Sequence, residues 1–311
     1  MSIRTAIVNS SSYRPSRIII GTAQFGMAYG VTNTRGQMSE TETGAILDTA
    51  SRAGIGLVDT APAYGTSESV LGKALELFSA IGVITKTPAF DGPAVGPEDI
   101  RHLRRSVGQS LERLRRSSVD GLLIHHGSDL RKSGSDGLVD ALRGLRSEGV
   151  AARIGVSIYD EAELDDVLAR FEPDIVQLPL NLFDQRLLRS GTLARLKSRG
   201  IEIHARSVFL QGVLIGSQVP LHDYFRPYQP HLDRYRQFLT DHAISPLAAC
   251  LGFALAPGAA DRIVVGVAGL DELVDILNAA ANLGADLPDF GSLAADDPDL
   301  VDPRRWKLSR A

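Results

Sequence analysis

The chain has 311 residues, 44% of them hydrophobic, and a formal net charge of −4. This composition suits a globular protein with a large core, and the charge gives no reason to expect nucleic acid or an anionic membrane as a partner. The lone cysteine, Cys250, excludes a disulfide within this chain, and the apolar stretch near the N-terminus is too short for a signal peptide. We therefore expect a soluble cytoplasmic protein, whose oligomeric state stays open.

Eight short apolar runs alternate with longer amphipathic segments along the whole chain. Continuous apolar runs of this length are typical of strands buried on both faces of a parallel sheet. The predicted strands are residues 17–21, 56–60, 82–85, 121–124, 152–157, 175–180, 201–205 and 262–267.

Signals for helix ends lie between these runs. Ser39 and Glu42 form a capping box that opens the first predicted helix, and Gly54 closes it. Asp160 predicts another helix start, and Ser245-Pro246 supplies a cap followed by a proline at the first helical position. Residues 100–115 carry an apolar stripe of Leu103, Val107, Leu111 and Leu114.

Alternating strands and helices, with eight strands, predict an α/β protein that folds as a single (β/α)8 TIM barrel over residues 1–311. Residues 284–311 change in character and are predicted to form a C-terminal tail or cover. The alternative is a doubly wound open sheet that binds a dinucleotide. That fold would carry G-x-G-x-x-G after its first strand, where this chain has Gly-Thr-Ala-Gln-Phe-Gly at residues 21–26.

Four ionisable residues fall at or just after the ends of three consecutive predicted strands. Asp59 ends the second strand, and Tyr64 lies in the loop that follows it. Lys86 and His125 end the third and fourth strands. Each residue alone has an ordinary structural interpretation: a turn former, a rim aromatic, a solvated lysine or a core histidine. Together they are predicted to converge on the mouth of the barrel, where barrel enzymes place their catalytic groups.

The chemistry of this set fits the reduction of a carbonyl group. A tyrosine hydroxyl can protonate the developing alkoxide, but its free pKa of about 10 is high for transfer near neutrality. A neighbouring ammonium such as that of Lys86 favours the phenolate, and the Asp59 carboxylate can hold the lysine in place. His125 can orient the carbonyl oxygen. No side chain supplies a hydride, so a cofactor must do so.

The segment of residues 59–68, Asp-Thr-Ala-Pro-Ala-Tyr-Gly-Thr-Ser-Glu, closely resembles the signature of the aldo-keto reductase superfamily. Residues 21–26 resemble the first-strand motif of that family, and residues 120–125 resemble its histidine strand. The resemblance continues in order through residues 155–157, 176–177, 207–212 and 265–266. It implies that Asp59, Tyr64, Lys86 and His125 are the catalytic group.

The resemblance also implies an NADPH site, with NADH possible, in which the cofactor lies extended across the strand ends. Ser157 and Gln177 would hydrogen-bond the nicotinamide carboxamide, although ordinary bonding within the barrel is the structural alternative. Arg206 stands where the family often has an aromatic residue, and its planar guanidinium is a candidate to stack instead. The implied cofactor-binding residues are Gly21, Thr22, Ala23, Asp59, Ser157, Gln177, Arg206, Ser207, Val208, Phe209, Leu210, Gly212, Gly266, Val267, Ala268 and Gly269.

The adenosine end departs from the family pattern. Ala268 stands where a cation often binds the 2′-phosphate of NADPH, and the nearby charges, Asp271, Glu272 and Asp275, are acidic. Backbone donors at the start of the last helix still favour an anion, and Arg262 or a residue from another loop could supply a cation. These opposing effects predict only a modest preference between NADPH and NADH.

His126 follows His125 directly. Adjacent strand residues point to opposite sides, so the two histidines are not expected to share a role or one metal ion, and no metal site is predicted. Substrate identity stays open among small aldehydes, ketones and sugar-derived carbonyls. The candidate pocket walls are Tyr224, Phe225, Tyr228 and Trp306.

The sequence therefore predicts an NAD(P)H-dependent oxidoreductase that reduces an aldehyde or ketone to an alcohol, with Tyr64 as the proton donor. The alternative is a non-catalytic barrel that binds a nicotinamide and regulates a partner protein. A hydrolase or lyase barrel would be expected to show a metal cluster or paired carboxylates at the strand ends, and neither pattern is visible. The arginine-rich segment from residue 101 to residue 116 is interpreted as a solvated helix face.

Overall fold

Eight parallel strands close into a barrel in which each strand pairs with the next and the last pairs with the first. The structure, a computed structural model, describes residues 15–216, 221–284 and 286–308. All eight predicted strands are present, and their ends differ by no more than two residues from the prediction. The strands are β1 (Ile18–Gly21), β2 (Leu57–Asp59), β3 (Gly82–Lys86), β4 (Val119–Ile124), β5 (Ala151–Ser157), β6 (Ile175–Pro179), β7 (Glu202–Arg206) and β8 (Arg262–Gly266).

Helices connect the strands and surround the barrel, which confirms the predicted (β/α)8 architecture. In the described residues they are α1 (Ala23–Gly26), α2 (Glu40–Ala53), α3 (Ser67–Leu75), α4 (Pro97–Leu114), α5 (Asp136–Ser147), α6 (Glu161–Leu168), α7 (Arg186–Arg189), α8 (Thr192–Ser198), α9 (Gln229–Asp241), α10 (Pro246–Leu255), α11 (Leu270–Ala281) and α12 (Pro298–Val301). Short 3₁₀ turns occur in several of the loops.

The predicted helix ends have the expected cap geometry. The Ser39 side chain accepts a hydrogen bond from the Glu42 amide at the start of α2, and Gly54 ends that helix in the left-handed region with φ 87°. Asp160 caps α6 through the amide of Glu163. Ser245 caps α10, with a proline at its first position.

Side chains alternate between two apolar layers along the strands. Residues such as Ile18, Val58 and Leu122 are fully or almost fully buried in the main core between sheet and helices. A separate cluster of Ile84, Leu123 and Ile175 fills the inside of the barrel. Strands buried on both faces explain the continuous apolar runs in the sequence.

The bottom of the barrel, at the N-terminal ends of the strands, carries a network centred on Glu202. Its Oε2 accepts from Arg153 at 2.5 Å, and its Oε1 accepts from Arg262 at 2.7 Å. Oε1 also lies 2.9 Å from the His204 Nε2 atom, and the His204 side chain is fully buried. Three partners hold the pKa of Glu202 down to about 2 against the opposing effect of burial.

The C-terminal segment packs against the barrel. The Ala295 amide donates to the Phe183 carbonyl at 2.9 Å, and the Trp306 ring meets the Phe225 ring edge to face at 4.9 Å between centroids. The Tyr224 hydroxyl donates to the Asp299 carbonyl at 2.8 Å. We propose that the described part of this segment, residues 286–308, acts as a cover that belongs to the barrel domain.

No single helix in the three described ranges of the chain has the length and apolar character of a membrane span. The segments Asp223–Asp241 and Pro246–Leu255 have the required length and apolar character only when they are taken together, and they are bent by 91° relative to each other. The second of these segments is α10, which is buried from Ala249 to Leu255 as part of the main core.

Candidate active site

A cleft of about 220 Å³ lies at the C-terminal ends of the strands. All four residues of the predicted catalytic group, Asp59, Tyr64, Lys86 and His125, line this cleft. They come from β2, the loop after it, β3 and the residue after β4, so the barrel brings together positions that are distant in sequence.

Lys86 and Asp59 form an ion pair with almost no solvent exposure. The Lys86 Nζ atom lies 2.6 Å from Asp59 Oδ1, and the two side chains are 1% and 4% exposed. Nζ also donates to the Thr60 carbonyl at 2.9 Å, while Gln177 Nε2 donates to Asp59 Oδ2 at 2.8 Å. Both charges are therefore compensated and held in fixed positions, as burial requires.

Glycine packing positions the loop that carries Tyr64. A Cβ atom at Gly26 would lie 1.9 Å from the Tyr64 carbonyl oxygen, and a Cβ at Gly65, where φ is +57°, would lie 2.4 Å from the Gly26 carbonyl oxygen. Two loops can approach this closely only because neither position has a side chain. The motif at residues 21–26 and the signature at residues 59–68 are therefore parts of one packed unit.

Thr22 belongs to the same unit and does not line the cleft. Its hydroxyl donates to the Asp59 carbonyl at 3.0 Å and accepts from the Ser67 hydroxyl at 2.8 Å. The prediction that Thr22 binds the cofactor is not supported by this placement, because the side chain is fully buried beneath the loop. It joins β1 and β2 to the start of α3.

Burial and charge act in opposite directions on Tyr64 and Lys86. Burial raises the pKa of the Tyr64 hydroxyl, while the Lys86 ammonium, 5.1 Å from the ring centroid, pulls that pKa down. Burial also disfavours the ammonium, but Asp59 and Tyr64 together outweigh the effect of burial, and the pKa of Lys86 is raised. The site therefore holds a protonated phenol beside a charged lysine.

His125 is a neutral group in this environment. Burial, followed by the Lys86 charge, lowers the pKa of His125 to about 2, so the ring is neutral at physiological pH. Its centroid lies 6.1 Å from that of Tyr64. A neutral ring can hydrogen-bond a carbonyl oxygen, but it is a poor source of a proton.

The predicted opposite orientation of His125 and His126 is wrong. Their rings stack in parallel with 4.6 Å between centroids and 5° between planes. The strand alternation does not apply because β4 ends at Ile124, before the pair begins. His126 is nevertheless absent from the cleft lining, and in the described ranges no group of three or more His, Cys, Asp or Glu side chains has a metal-binding arrangement.

Most of the residues implied for cofactor binding line the same cleft. Those that do are Gly21, Ala23, Asp59, Ser157, Gln177, Arg206, Ser207, Val208, Phe209, Gly212, Gly266 and Ala268. Besides Thr22, the exceptions are Leu210, Val267 and Gly269. The first two side chains are fully buried in the main core, and Gly269 lies just outside the cleft at the start of α11.

The loop after β7 has an unusual backbone. Ser207, Leu210 and Gln211 have φ values of 59°, 46° and 52°, and Gly212 has φ 95°. Side-chain-bearing residues in the left-handed region are uncommon and concentrate at functional sites. This curved segment forms one wall of the cleft.

The end of β8 differs from the predicted anion site. The Ala268 amide donates to the Glu272 carboxylate at 2.7 Å, so a backbone donor expected for a phosphate already has an anionic partner within the chain. Arg262 cannot supply the missing cation, since it lies at the opposite end of β8 with Glu202. A cation from another loop does lie near this end of β8: Arg35 pairs with the Asp271 carboxylate at 2.7 and 2.5 Å.

The loop between α1 and α2 forms a wall of the cleft that was not predicted from the sequence. It contributes Tyr29, Gly30, Thr32 and Asn33. Further unpredicted lining residues are Gln24, Tyr159, Ile215 and Val264, whereas Gln211 lies within the predicted stretch 207–212 and Glu272 was expected near the adenosine end. Gln24 lies inside the first-strand motif, which was the available signal. The loop between α1 and α2 carried no such signal in the sequence, because it has no periodic pattern and its position depends on contacts with distant loops.

Arg206 is the last residue of β7, and one face of its guanidinium group is covered by an aromatic ring, so that face cannot stack on a ligand. Its guanidinium carbon lies 3.9 Å from the centroid of the Tyr159 ring. Arg304 of the C-terminal segment lies 3.2 Å from the same centroid. Two guanidinium groups cannot share one face at these distances, so the ring of Tyr159 lies between them.

The lining is chemically suited to a nicotinamide cofactor. Glycines form part of the floor: a Cβ atom at Gly21 would lie 3.2 Å from the Val264 side chain, and one at Gly266 would lie 2.8 Å from the Gln24 amide. Gln24 Oε1 is buried and has no partner in the part of the chain that the structure describes. With the polar groups of Ser157 and Gln177, this gives a flat ligand a floor and hydrogen-bonding groups.

Comparisons with known proteins identify one family. The family model described as "Aldo/keto reductase family" matches residues 17–287. L-galactose dehydrogenase of Arabidopsis thaliana is 27% identical over 303 residues, which cover 90% of this chain and 89% of the relative. D-threo-aldose 1-dehydrogenase of Pseudomonas sp is 26% identical over 298 residues, covering 82% and 89%.

Solved structures show the same fold. An aldo-keto reductase from Bacillus halodurans, in its holo form, superposes with a TM-score of 0.71 at 20% identity and covers 93% of this chain and 95% of its own. The glycerol dehydrogenase of Gluconobacter oxydans superposes with a TM-score of 0.69 at 20% identity, covering 95% of each chain.

Proposed function

The chain belongs to the aldo/keto reductase family and is an oxidoreductase, and from that premise we propose that it uses NAD(P)H to reduce an aldehyde or ketone to an alcohol. The observation that carries the proposal is the buried Lys86–Asp59 pair beside Tyr64 in the cleft. Two relatives are named for sugar oxidation, L-galactose dehydrogenase and D-threo-aldose 1-dehydrogenase, so sugar-derived carbonyls belong among the first candidates.

Tyr64 is the proposed proton donor. Its hydroxyl is protonated in the resting site, because burial keeps its pKa high. As negative charge develops on the substrate oxygen, Tyr64 delivers its proton and becomes a phenolate beside the Lys86 ammonium. Asp59 fixes the lysine without neutralising the direct attraction between ammonium and phenolate.

His125 has a different part in the proposed mechanism. Being neutral, it keeps its proton and hydrogen-bonds the carbonyl oxygen, which orients the substrate toward Tyr64. A bound NAD(P)H supplies the hydride that no side chain can supply. The alkoxide oxygen thus receives the Tyr64 proton, and the product is an alcohol.

The proposed cofactor contacts follow the lining. Ser157 and Gln177 are assigned to the carboxamide, the curved segment from Ser207 to Gly212 to the pyrophosphate, and the end of β8 to the adenosine portion. Gln177 already donates one Nε2 hydrogen to Asp59, so its contact with a ligand would use its oxygen or its second Nε2 hydrogen. Gln24 Oε1 offers a further buried acceptor for a donor on the cofactor.

We further propose a modest preference between NADH and NADPH. Glu272 holds the Ala268 amide and can accept hydrogen bonds from a free ribose hydroxyl, which favours NADH. Arg35 can leave Asp271 for a 2′-phosphate, which favours NADPH, because the pair is about half exposed and so weak. A relative from Escherichia coli is named an NADH-specific methylglyoxal reductase.

Dissociation constants of NADH and NADPH, measured by calorimetry, test this balance. We expect the two to agree within about tenfold in the wild type, since each opposing effect is on the order of 1 kcal/mol. Glu272→Gln is expected to shift the ratio toward NADPH, and Arg35→Gln toward NADH. A preference of about a thousandfold, roughly 4 kcal/mol, would show that a strong phosphate site exists elsewhere.

The proposed activity is tested with Tyr64→Phe. We expect reduction of reactive aldehydes to fall by about 10²- to 10⁴-fold, while the affinity for the cofactor stays near that of the wild type. Tyr224→Phe is the control, because it removes a phenol outside the cleft. Near-normal turnover in Tyr64→Phe would overturn the assignment. Tight cofactor binding with no turnover of any carbonyl by the wild type would favour the regulatory alternative.

A further inference from the structure

Arg206 is half-buried and its charge is compensated only weakly. Arg116 is compensated as weakly, by carbonyl oxygens at 3.3 and 3.4 Å, but it does not line the cleft. The closest hydrogen-bond acceptors of Arg206 are the Ile158 carbonyl at 3.2 Å and the hydroxyls of Ser157 and Ser207, both at 3.4 Å. All three are neutral, and the two hydroxyls lie beyond the usual range for a strong hydrogen bond. Within the described residues, no carboxylate lies within 4.0 Å of Arg206.

Other arginines show what full compensation looks like in this chain. Arg17, also half-buried, donates to three backbone carbonyls at 2.8, 2.9 and 3.1 Å. Arg304, on the other side of Tyr159, is bound by the Asp302 carboxylate at 2.6 Å. A partly buried charge without comparable partners is costly unless a ligand completes it. Arg206 thus has unused capacity to bind an anion.

The location of Arg206 identifies which ligand would supply that anion. It lines the same cleft as Tyr64 and His125, and its charge acts on both residues. The substrate carbonyl must lie at those two side chains to receive a proton. An anionic group on Arg206 therefore lies a short distance from the carbonyl carbon of the same small molecule. The Tyr159 ring limits the directions in which the guanidinium can turn.

We propose that Arg206 recognises a carboxylate or phosphate group on the carbonyl substrate, so that this protein prefers anionic aldehydes or ketones to neutral ones. The inference rests on the proposed function. It assigns to Arg206 a role in substrate specificity, in place of the stacking on nicotinamide that the sequence suggested.

The test compares matched substrates and matched variants. Succinic semialdehyde and glyceraldehyde 3-phosphate serve as carboxylate and phosphate probes, with butanal and glyceraldehyde as their neutral counterparts. Arg206→Gln is compared with Arg304→Gln, which removes the same charge from the other side of Tyr159. Steady-state kcat/KM is measured for each substrate, and the dissociation constant of NADH is measured by calorimetry.

We expect Arg206→Gln to lower kcat/KM for at least one anionic probe by about 10- to 100-fold, the range for a lost charged hydrogen bond. Because the charge of Arg206 also acts on Tyr64 and His125, kcat/KM for the neutral counterparts is expected to fall as well, but by less, so the ratio of the anionic to the neutral kcat/KM is the readout. The affinity of this variant for NADH should change little. Arg304→Gln should largely retain the preference, because Asp302 already compensates that arginine.

Three results would overturn the proposal. The first is a wild type that shows no preference for either anionic probe over its counterpart. The second is a loss in Arg206→Gln that appears mainly as weaker NADH binding, which would assign Arg206 to the cofactor. The third is an equal loss in Arg304→Gln, which would reflect a general field of positive charge. If no carbonyl is reduced at all, the proposed function itself fails, and that outcome is distinct from these three.

Discussion

Acid–base pairs lie at both ends of the barrel, almost fully buried at the top and partly buried at the bottom, and the pairs end on different groups. At the bottom, Glu202 is bound by Arg153, Arg262 and His204. At the top, Asp59 is bound by Lys86 and Gln177. The bottom network ends on two guanidinium groups, which keep their protons at any relevant pH, and on the His204 ring, which is fully buried and does not line the cleft. The top network continues from Lys86 to the Tyr64 phenol, which can release its proton into the cleft.

The difference shows that burial of an ion pair does not by itself indicate chemistry. What separates the two networks is a titratable neighbour with access to a ligand. Glu202 is bound entirely by fixed partners, and its function is to hold the floor of the barrel. Asp59 fixes a lysine whose remaining influence falls on Tyr64. Substitutions at the two ends should therefore separate activity from stability.

The largest expected effect is at the top. Lys86→Met should lower single-turnover reduction by about 10²- to 10⁴-fold, because the phenolate loses its ammonium. Asp59→Asn should be less damaging, since Asp59 favours the phenolate only by holding Lys86, while its own charge raises the pKa of Tyr64. Rates are compared in variants whose circular dichroism shows a folded protein. A folded Asp59→Asn variant that is slower than Lys86→Met would reverse the proposed order of influence.

The opposite result is expected at the bottom. Glu202→Gln should reduce the free energy of unfolding by about 1–3 kcal/mol, because it leaves two partly buried guanidinium groups, those of Arg153 and Arg262, without their carboxylate. Its turnover should match that of the wild type. Glu172→Gln, in an exposed pair with Arg199, is the control and should cost less than about 0.5 kcal/mol. Denaturant unfolding measures the stability of each variant. A loss of turnover in Glu202→Gln would show that the network at the bottom of the barrel also affects catalysis at the top.

The pH dependence of stability sharpens the same contrast. The pKa of Glu202 is lowered from 4.5 to about 2 on folding, so its stabilisation is complete above 4.5 and is lost as the pH falls toward 2. The difference in unfolding free energy between wild type and Glu202→Gln should therefore shrink over that interval. Other acidic groups titrate in both proteins and cancel. A difference that stays constant down to the lowest pH at which both fold would contradict this.

The smallest expected effect concerns the top of the barrel, where the rate of reduction should hardly change with pH. The pKa of His125 is held at about 2, and burial keeps the pKa of Tyr64 high. Neither group should titrate between about pH 6 and pH 8, in contrast to an ordinary histidine. Single-turnover rates at saturating cofactor should vary by less than about twofold over this range. An inflection near 6.5, the ordinary pKa of histidine, would show that His125 ionises during the reaction.

The fold was largely predictable because its signals are local. Each strand is a short apolar run, and caps such as Ser39 and Asp160 act within a few residues of themselves. The convergence of Asp59, Lys86 and His125 followed from one general rule about strand ends. The interpretation of the arginine-rich segment as a solvated face holds for Arg101 and Arg105, which pair with Glu98 at the surface. It is wrong for Arg113, which is partly buried and pairs with the buried Glu68 at 2.7 Å.

The parts that were not predicted depend on contacts between distant loops. One such part is the cleft lining contributed by residues 29–33. Another is the pairing of Arg35 with Asp271, two residues that are 236 positions apart in the sequence. The aromatic residues proposed as pocket walls do not line the cleft. Tyr224 donates to the C-terminal segment, and Trp306, which belongs to that segment, packs on Phe225. Aromatic side chains fit a ligand wall and a packing contact equally well, so composition alone could not separate the two.

The loop between α1 and α2 is fastened on both sides of the cleft. Arg35 holds it to α11, and Gln211 Nε2 donates to the Tyr29 hydroxyl at 3.3 Å from the side of β7. If the proposed dinucleotide binds beneath this span, we expect it to leave only after one of the two contacts opens. Its dwell time would then depend on a solvent-exposed ion pair, which dissolved salt weakens. For this barrel, ionic strength is expected to govern how long the cofactor stays more than how it reacts.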